Sequence, residues 1–307
     1  MIISVSRRCD IPRFSFDWFL EKLDAGYVDV RNPFNPRQTR RVSLLPPAAG
    51  RPAEECAELF AFWTRDPASI LANTDDLEGR GYSFFVMTTF TSYPAVLEPN
   101  APQPGELLKT MENLSLKITP ARLIWRYDPV FLSDMTDVDF HRRNFARLAA
   151  ALKGVVKKVI VSVYDEYPRA EKRLAELEQR GSLKRLAHYS SGVSGKKTLV
   201  PMIRRLLADM AEIAGREGLE IQSCAEENSS DPISGDCGIP SGACIDGEYI
   251  LKNFGLTTQK DRGQTRPGCL CCRSVDIGSY GPCPAGCVYC YAHSISGGNF
   301  MINSVQA

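Results

Sequence analysis

Short apolar runs alternate with helical patterns over the first two thirds of the chain. Runs rich in Val, Ile, Phe or Tyr predict strands at Ile2–Ser6, Tyr27–Arg31, Glu58–Thr64, Ser83–Thr89, Arg122–Arg126, Lys158–Val163 and Leu219–Cys224, with Arg41–Leu45 as a candidate eighth. Apolar residues at helical spacing predict helices at Ser15–Leu23, Pro67–Leu77, Gly105–Leu116, Asp137–Leu152, Ala170–Arg180 and Lys197–Arg216. Strands and helices therefore alternate along this part of the chain.

Alternation of this kind is typical of parallel strands that are joined by crossover helices. Seven or eight strand–helix units within about 220 residues predict an α/β fold with a (β/α) barrel or partial barrel. An open doubly wound sheet is the alternative. No Gly-rich phosphate loop follows a predicted strand, which weakens the dinucleotide-binding form of that alternative.

The periodic pattern ends at Glu226. Residues 227 to 285 are rich in Gly, Pro, Ser and Cys and show little periodicity. Metal ligands can organise a long segment that lacks regular structure. We therefore predict a barrel-like domain over residues 1–226 and, over residues 227–307, a cysteine-rich, cluster-binding segment packed on the barrel mouth.

The composition is that of an ordinary globular protein. Hydrophobic residues make up 44% of the 307 residues and charged residues 24%, which excludes a disordered chain, a fibrous repeat and a coiled coil. No apolar stretch is long enough to span a membrane, and Arg7 and Arg8 interrupt the N-terminal apolar run too early for a secretory segment. We expect a cytoplasmic protein without a membrane partner. The net charge of +1 gives no sign of a nucleic-acid partner.

Cysteine is the unusual component, because nine of the 11 cysteines lie between Cys224 and Cys290. In a reducing compartment this concentration of thiols indicates a metal or iron–sulfur site rather than disulfides. The densest motif has three residues between Cys283 and Cys287 and two between Cys287 and Cys290, with Tyr289 before the last cysteine. Three thiolates on one short loop can hold three corners of a cubane iron–sulfur cluster and leave the fourth iron open.

This spacing, with its aromatic residue, resembles the motif of radical S-adenosylmethionine enzymes. The resemblance implies that Cys283, Cys287 and Cys290 ligate a [4Fe-4S] cluster, that the open iron binds S-adenosylmethionine, and that Tyr289 lies near the adenine. It also implies cleavage of that cofactor to a 5′-deoxyadenosyl radical. In that superfamily the motif follows the first strand, whereas here it follows the predicted barrel. Val275–Tyr280 is a candidate added strand that presents the loop to the barrel mouth.

Several longer segments resemble a bacterial family known as domain of unknown function 1848. They are Ser6–Pro12, Asn32–Pro36, Phe62–Pro67, Trp125–Pro129 and the stretch from Lys260 to Ala292 that contains the cysteine motif. The resemblance therefore covers the chain from Ser6 to Ala292. That family is uncharacterised as an enzyme, and its C-terminal cysteines have been likened to the radical S-adenosylmethionine cluster. The resemblance consequently implies a cluster more strongly than any reaction.

Six further cysteines precede the motif. Four soft thiolates can enclose a second iron–sulfur cluster or a tetrahedral zinc ion. The resemblance to positions that recur in the family favours Cys224, Cys244, Cys269 and Cys271 as this set, with Cys237 and Cys272 as alternates. The other interpretation is that they are free structural cysteines. Cys9 looks like an ordinary thiol, at the barrel mouth.

Polar side chains follow several predicted strands, and a parallel barrel carries its chemistry at those strand ends. The candidates for anchoring a polar substrate are Arg7, Arg126, Asp128 and Asp165. The alternative is that they are loop caps and surface ion pairs. His141 lies on a predicted amphipathic helix and is expected at the surface.

These observations lead to one hypothesis and two alternatives. The hypothesis is an iron–sulfur enzyme of radical S-adenosylmethionine type, with an unknown small-molecule or peptide substrate and a reductant such as ferredoxin or flavodoxin. The first alternative is a non-catalytic iron–sulfur protein that acts in electron transfer or redox sensing. The second is a zinc-stabilised binding protein.

Overall fold

The computed structural model describes residues 1–33, 35, 37–186, 201–224, 237–261 and 268–293. The strands are β1 (Ile2–Val5), β2 (Tyr27–Arg31), β3 (Thr39–Ser43), β4 (Leu59–Thr64), β5 (Phe84–Thr89), β6 (Leu123–Val130), β7 (Lys158–Val163), β8 (Glu220–Cys224), β9 (Ser241–Gly242) and β10 (Val275–Asp276). The helices are α1 (Ile11–Phe14), α2 (Phe16–Ala25), α3 (Ala68–Gly79), α4 (Pro104–Ile118), α5 (Val138–Ala151), α6 (Pro168–Gln179), α7 (Pro201–Arg216) and α8 (Gly247–Phe254). Glu226, where the sequence pattern changes, and Lys197, the predicted start of a helix, lie outside the described residues.

One sheet contains eight of these strands and curls into a half-barrel. Its order is β10-β1-β4-β5-β6-β7-β8-β9, and every neighbouring pair is parallel. The α/β fold with a partial barrel is thereby confirmed. Strands β1, β4, β5 and β7 are buried along almost their whole length, as expected of strands covered on both faces. Among the described residues, no helix is both long and apolar enough to cross a membrane.

Two of the predicted strands lie outside this sheet. Strands β2 and β3 pair antiparallel as a separate ribbon, with Tyr27 opposite Ser43 and Arg31 opposite Thr39. Only residues 32–38 connect them, and so short a link cannot make the crossover that parallel neighbours require. The assignment of Tyr27–Arg31 and Arg41–Leu45 to the barrel was therefore wrong.

Side chains on the two faces of the sheet build two separate cores. On one face Phe60 and Phe62 of β4 pack against Phe19 of α2, in a core that also includes residues of α1 and α3 to α7. On the opposite, inner face Ala61 and Trp63 of the same strand belong to a second core. This alternation follows from the two-residue period of a strand.

Helix α8 covers the inner face, within the stretch that was predicted to lack regular structure. The Asp246 carboxylate caps its first turn, accepting hydrogen bonds from the backbone N–H groups of Glu248 at 2.9 Å and Tyr249 at 3.3 Å. Gly255 ends the helix in the left-handed conformation at φ 68°. Ile250 is fully buried in the inner core. The prediction missed this helix because eight residues provide too few turns for a clear periodicity.

Both edges of the sheet come from the C-terminal part of the chain. Strand β9 pairs with β8, and β10 pairs with β1 at Ile3–Val275 and Ser4–Asp276. The buried Asp276 carboxylate accepts hydrogen bonds from Ser4 Oγ at 2.8 Å and Ser6 Oγ at 2.6 Å. The candidate strand Val275–Tyr280 is thus present over its first two residues.

His141 is buried, contrary to the expectation that it lies at the surface. It is fully inaccessible to solvent on α5. Its Nδ1 atom lies 2.8 Å from the Tyr127 hydroxyl, and its Nε2 atom lies 3.0 Å from the Phe131 carbonyl oxygen. The amphipathic pattern of α5 misled the prediction because the imidazole satisfies both nitrogens inside the core.

Burial lowers the pKa of His141 to about 4, below the value of about 6.5 for an exposed histidine. The stability that the neutral ring contributes is therefore complete above pH 6.5 and is lost as the pH falls from 6.5 toward 4. From pH 7.5 to pH 5 we expect the wild type to lose about 2 kcal/mol more unfolding free energy than His141→Gln does. Anaerobic urea unfolding of both proteins measures this difference, and parallel pH dependences would contradict it.

Candidate functional site

A cavity of about 370 Å³ opens at the carboxyl end of the half-barrel. Six neighbouring strands contribute to its walls, with Ser6 to Asp10 after β1, Thr64 and Arg65 at β4, Thr89 at β5, Arg126, Asp128 and Pro129 at β6, Ser162 to Asp165 at β7, and Cys224 at β8. The C-terminal part adds Cys244, Cys269, Cys271, Tyr280, Cys283, Ala285, Cys287 and Tyr289 to Ala292. This end of a parallel barrel is where such folds bind their substrates.

All four residues predicted to anchor a substrate line this cavity: Arg7, Arg126, Asp128 and Asp165. Each arginine already has a carboxylate partner, since Arg7 Nε lies 3.6 Å from Asp276 and Arg126 pairs with Asp128. The Arg126 guanidinium also lies over the Trp63 ring, 4.5 Å from its centroid. The surface-ion-pair alternative does not fit Arg7, Arg126 and Asp128, whose side chains are at most one-fifth exposed.

The upstream thiols Cys224, Cys244, Cys269 and Cys271 form one group on the cavity wall. The Cys244 thiol donates a hydrogen bond to Cys224 Sγ at 3.1 Å. Hydrogen bonds with the thiols of Cys244 and Cys269 lower the pKa of Cys271, and the backbone N–H of Ile245 lies 3.5 Å from its sulfur. The alternates Cys237 and Cys272 are also buried, but neither lines the described cavity.

The motif thiols Cys283, Cys287 and Cys290 line the same cavity from the loop that follows β10. The side chain of Arg173 in α6 binds the backbone of this loop. Its guanidinium donates to the carbonyl oxygens of Val288 at 2.9 Å and His293 at 3.0 Å, and also to that of Cys290. The loop conformation is therefore fixed by contacts with its backbone, while all three motif cysteines line the cavity.

Tyr289 is buried beneath the loop rather than presented to solvent. Its hydroxyl donates to the Glu98 carboxylate and accepts a hydrogen bond from Arg65. Arg65 and Glu98 form an ion pair at 3.0 Å, with side chains that are 12% and 1% exposed. The Tyr289 ring borders the cavity, so contact with an adenine remains a prediction, but its hydroxyl serves to anchor the loop.

Two of the three motif thiols, Cys283 and Cys287, have a pKa above that of an exposed cysteine. Burial raises the pKa of Cys283 to about 11 and that of Cys287 to about 12. Burial also raises the pKa of the nearby Asp10 carboxyl group to about 6, although the backbone N–H of Arg65 donates to it at 2.9 Å. A metal that binds the motif must therefore displace protons from these thiols, which makes its affinity depend on pH.

The donor set fits an iron–sulfur cluster or a thiolate-bound zinc ion in its chemistry. Among the described residues, no group of three or more His, Cys, Asp or Glu side chains is arranged around a single ion. The upstream sulfurs instead hydrogen-bond to one another, and they must separate to about 3.8 Å to surround zinc at about 2.3 Å. Two buried donors of the cavity wall, Arg126 Nε and Trp63 Nε1, have no hydrogen-bond partner in the described structure. Such donors suit the sulfur atoms of a bound cluster.

Asp10 and Arg65 are among the polar residues that follow predicted strands, although no role was assigned to them, whereas Glu98, Arg173 and Asp276 were not predicted as site residues. Arg65 and Asp10 follow strands, which is a signal that the sequence contains. Glu98, Arg173 and Asp276 act through contacts that span 115 to 272 positions of the chain. No local pattern could identify them.

The comparisons with known proteins add a family but no relative of known activity. The model of the family described as "Domain of unknown function (DUF1848)" matches residues 2–292. Neither the search of curated proteins nor the search of solved structures found a match.

Gly278 allows the segment that carries the motif to approach β1 closely. A Cβ atom at this position would lie 2.1 Å from Ser6 Oγ and 2.8 Å from Cys9 Sγ, whereas one at Gly281 would meet nothing within 4 Å. We expect Gly278→Ala to lower the unfolding free energy by about 1–3 kcal/mol through overpacking. Gly281→Ala should remain within about 0.5 kcal/mol of the wild type. Anaerobic denaturant unfolding of the two variants tests this, and equal effects would refute it.

Proposed function

We propose a function for this chain on the premise that it belongs to the domain of unknown function 1848 family, as the match over residues 2–292 shows. The function is that of an iron–sulfur enzyme of radical S-adenosylmethionine type, with a small molecule or peptide as its substrate. One observation carries the proposal. The three motif thiols open into a cavity that is also lined by polar residues from the ends of six parallel strands.

The position of the motif in the sheet supports this proposal. Along the chain the motif follows the barrel strands, but it lies directly after β10, which is the edge strand beside β1. Because β10 comes first in the order of strands across the sheet, the motif follows the strand that is first in space although it is last along the chain. This is the layout that the resemblance to radical S-adenosylmethionine enzymes implies, reached here by a different order along the chain.

The residues of the loop have separable roles in this proposal. Cys283, Cys287 and Cys290 would hold a [4Fe-4S] cluster, which supplies one electron and an iron with a free coordination position for S-adenosylmethionine. Arg173 fixes the loop backbone. Tyr289 anchors the loop to the buried Arg65–Glu98 pair.

The strand-end residues bind and orient the substrate. Arg126 and Asp128 form an ion pair on β6, and Asp165 follows the neighbouring strand β7. Buried charges of both signs recognise a polar substrate strongly because few water molecules compete with them. The walls also exclude bulk water from the substrate, which is the contribution a protein makes to such chemistry.

The upstream thiols would hold a second metal centre on the cavity wall. Cys224, Cys244, Cys269 and Cys271 would ligate either a second iron–sulfur cluster or a zinc ion. A reductant such as ferredoxin or flavodoxin would supply the electron. None of the 11 cysteines, all of which lie among the described residues, forms a disulfide, as the proposed cytoplasmic, reducing location requires.

The iron content of cysteine variants tests the upstream thiols separately from the motif thiols. If both sets of thiols hold clusters, anaerobically reconstituted protein should contain roughly eight irons per chain, the sum of two four-iron cubanes. The double variant Cys269→Ala, Cys271→Ala should retain about half of this iron and the spectrum of the remaining cluster. Cys56→Ala is the matched control, because it removes a buried thiol that donates a hydrogen bond to the Pro52 carbonyl oxygen. This variant should retain all of the iron. Undiminished iron in the double variant would show that the upstream thiols do not ligate an iron–sulfur cluster, and a loss of bound zinc in its place would assign them to zinc.

Cleavage of S-adenosylmethionine tests the enzyme type. Reduced, reconstituted protein should slowly form 5′-deoxyadenosine and methionine without any substrate. Cys287→Ala should abolish this, because two thiolates cannot retain the motif cluster, while Cys56→Ala should cleave at the wild-type rate. An iron-loaded wild type that forms no 5′-deoxyadenosine, and whose electron paramagnetic resonance signal is unchanged by S-adenosylmethionine, would favour the electron-transfer alternative. Bound zinc without iron would favour the zinc-stabilised binding protein.

A further inference from the structure

Three tyrosines lie together in the cavity region: Tyr167, Tyr280 and Tyr291. We call them the tyrosine rim. Tyr167 and Tyr291 have ring centroids 5.2 Å apart, and those of Tyr280 and Tyr291 are 6.4 Å apart. Tyr280 is 41% exposed and Tyr291 is 39% exposed, and all three side chains line the cavity. Adjoining aromatic rings that remain exposed at a cavity are typical of a binding surface rather than a core.

Hydrogen bonds hold the rim in place. The Tyr291 hydroxyl donates to the Arg7 carbonyl oxygen at 2.6 Å. The Tyr167 hydroxyl lies 3.4 Å from the Asp165 carboxylate. With these hydroxyls engaged, what the two tyrosines offer a ligand is the faces and edges of their rings. A rigid aromatic surface of this kind binds at a low cost in side-chain entropy.

The charge beside the rim decides which ligand it fits. The Arg8 guanidinium lies over the Tyr280 ring, 5.5 Å from its centroid. A second cation at Tyr280 would compete with Arg8, which already lies over that ring. A planar aromatic ring, in contrast, stacks favourably on both phenol rings and a guanidinium plane.

We propose that the tyrosine rim is a subsite for a planar aromatic or heteroaromatic ring of the substrate. The proposal rests on the proposed function, because it assigns the substrate of the same cavity to a chemical class. The ring would lie on the tyrosines. The remainder of the substrate would extend toward Arg126, Asp128, the motif thiols and the upstream thiols. Substrates that lack such a ring would bind more weakly.

The test uses indole-3-propionate as the aromatic probe and cyclohexanepropionate as an aliphatic probe with the same acid group. Saturation-transfer NMR with reconstituted, unreduced protein measures both affinities. We expect the aromatic probe to bind at least fivefold more tightly, and Tyr280→Leu to lose at least fivefold of its affinity. Tyr280→Phe should bind it as the wild type does. Leu116→Ala, at an 85% exposed position of α4, is a surface control and should have no effect.

Adenosine is the second probe, because the aromatic ring bound at the rim could also be the adenine of S-adenosylmethionine. If adenosine binds in a Tyr280-dependent manner and indole-3-propionate does not, the rim serves the cofactor and the substrate assignment is wrong. Equal affinity for the two acids, or equal loss in Tyr280→Phe and Tyr280→Leu, would also overturn the proposal. Since these measurements need no reduction, aromatic binding without cleavage of S-adenosylmethionine would refute the enzyme type but leave the subsite standing.

Discussion

The carboxylate of Asp276 joins the C-terminal segment to the first strand, and the candidate site depends on that junction. Strand β10 has only two residues, so its backbone pairing with β1 is too short to secure the segment alone. The carboxylate accepts hydrogen bonds from Ser4, Ser6 and the backbone N–H groups of Arg7 and Gly278, all within 3.0 Å. A buried carboxylate with this many donors is stable only while all of them are in place. The motif begins seven residues later, so its position relative to the sheet follows from this contact.

The inner face of the half-barrel explains why the upstream thiols lie where they do. In the described residues, β9 and β10 do not pair with each other, so the sheet stays open. Helix α8 packs on the apolar part of the inner face, where Tyr249 and Phe254 contact Phe85. Cys224, Cys244 and Cys271 belong to the same core, closer to the carboxyl end. The C-terminal part of the chain therefore supplies helix α8, which covers the inner face of the half-barrel, and most of the upstream thiols, which lie closer to the carboxyl end.

The sequence predicted those features that a local pattern records. The apolar runs located β1 and β4 to β8. The signal was clearest for β1, β4, β5 and β7, because a strand covered on both faces must be apolar along its length. The same runs could not reveal that β2 pairs with β3, since periodicity identifies a strand but not its partner. Strands β9 and β10 are too short to leave a pattern. Cysteine spacing singled out the motif, whereas Arg173 and Asp276 act through tertiary hydrogen bonds that no spacing records.

The charges around the cavity affect both the motif thiols and the upstream thiols. Two arginines of the cavity wall already face a carboxylate, with Arg65 paired to Glu98 and Arg126 paired to Asp128. The Arg65 guanidinium also lowers the pKa of Cys287, against the larger effect of burial. Metal binding would replace thiol protons by a metal and leave negative charge on the sulfur atoms, which burial opposes. The guanidiniums beside the thiols offset that cost, and the unpartnered Arg126 Nε and Trp63 Nε1 donors offer hydrogen bonds to the added charge. Under the proposed metal binding, these donors and guanidiniums would stabilise the thiolate charge that burial alone opposes.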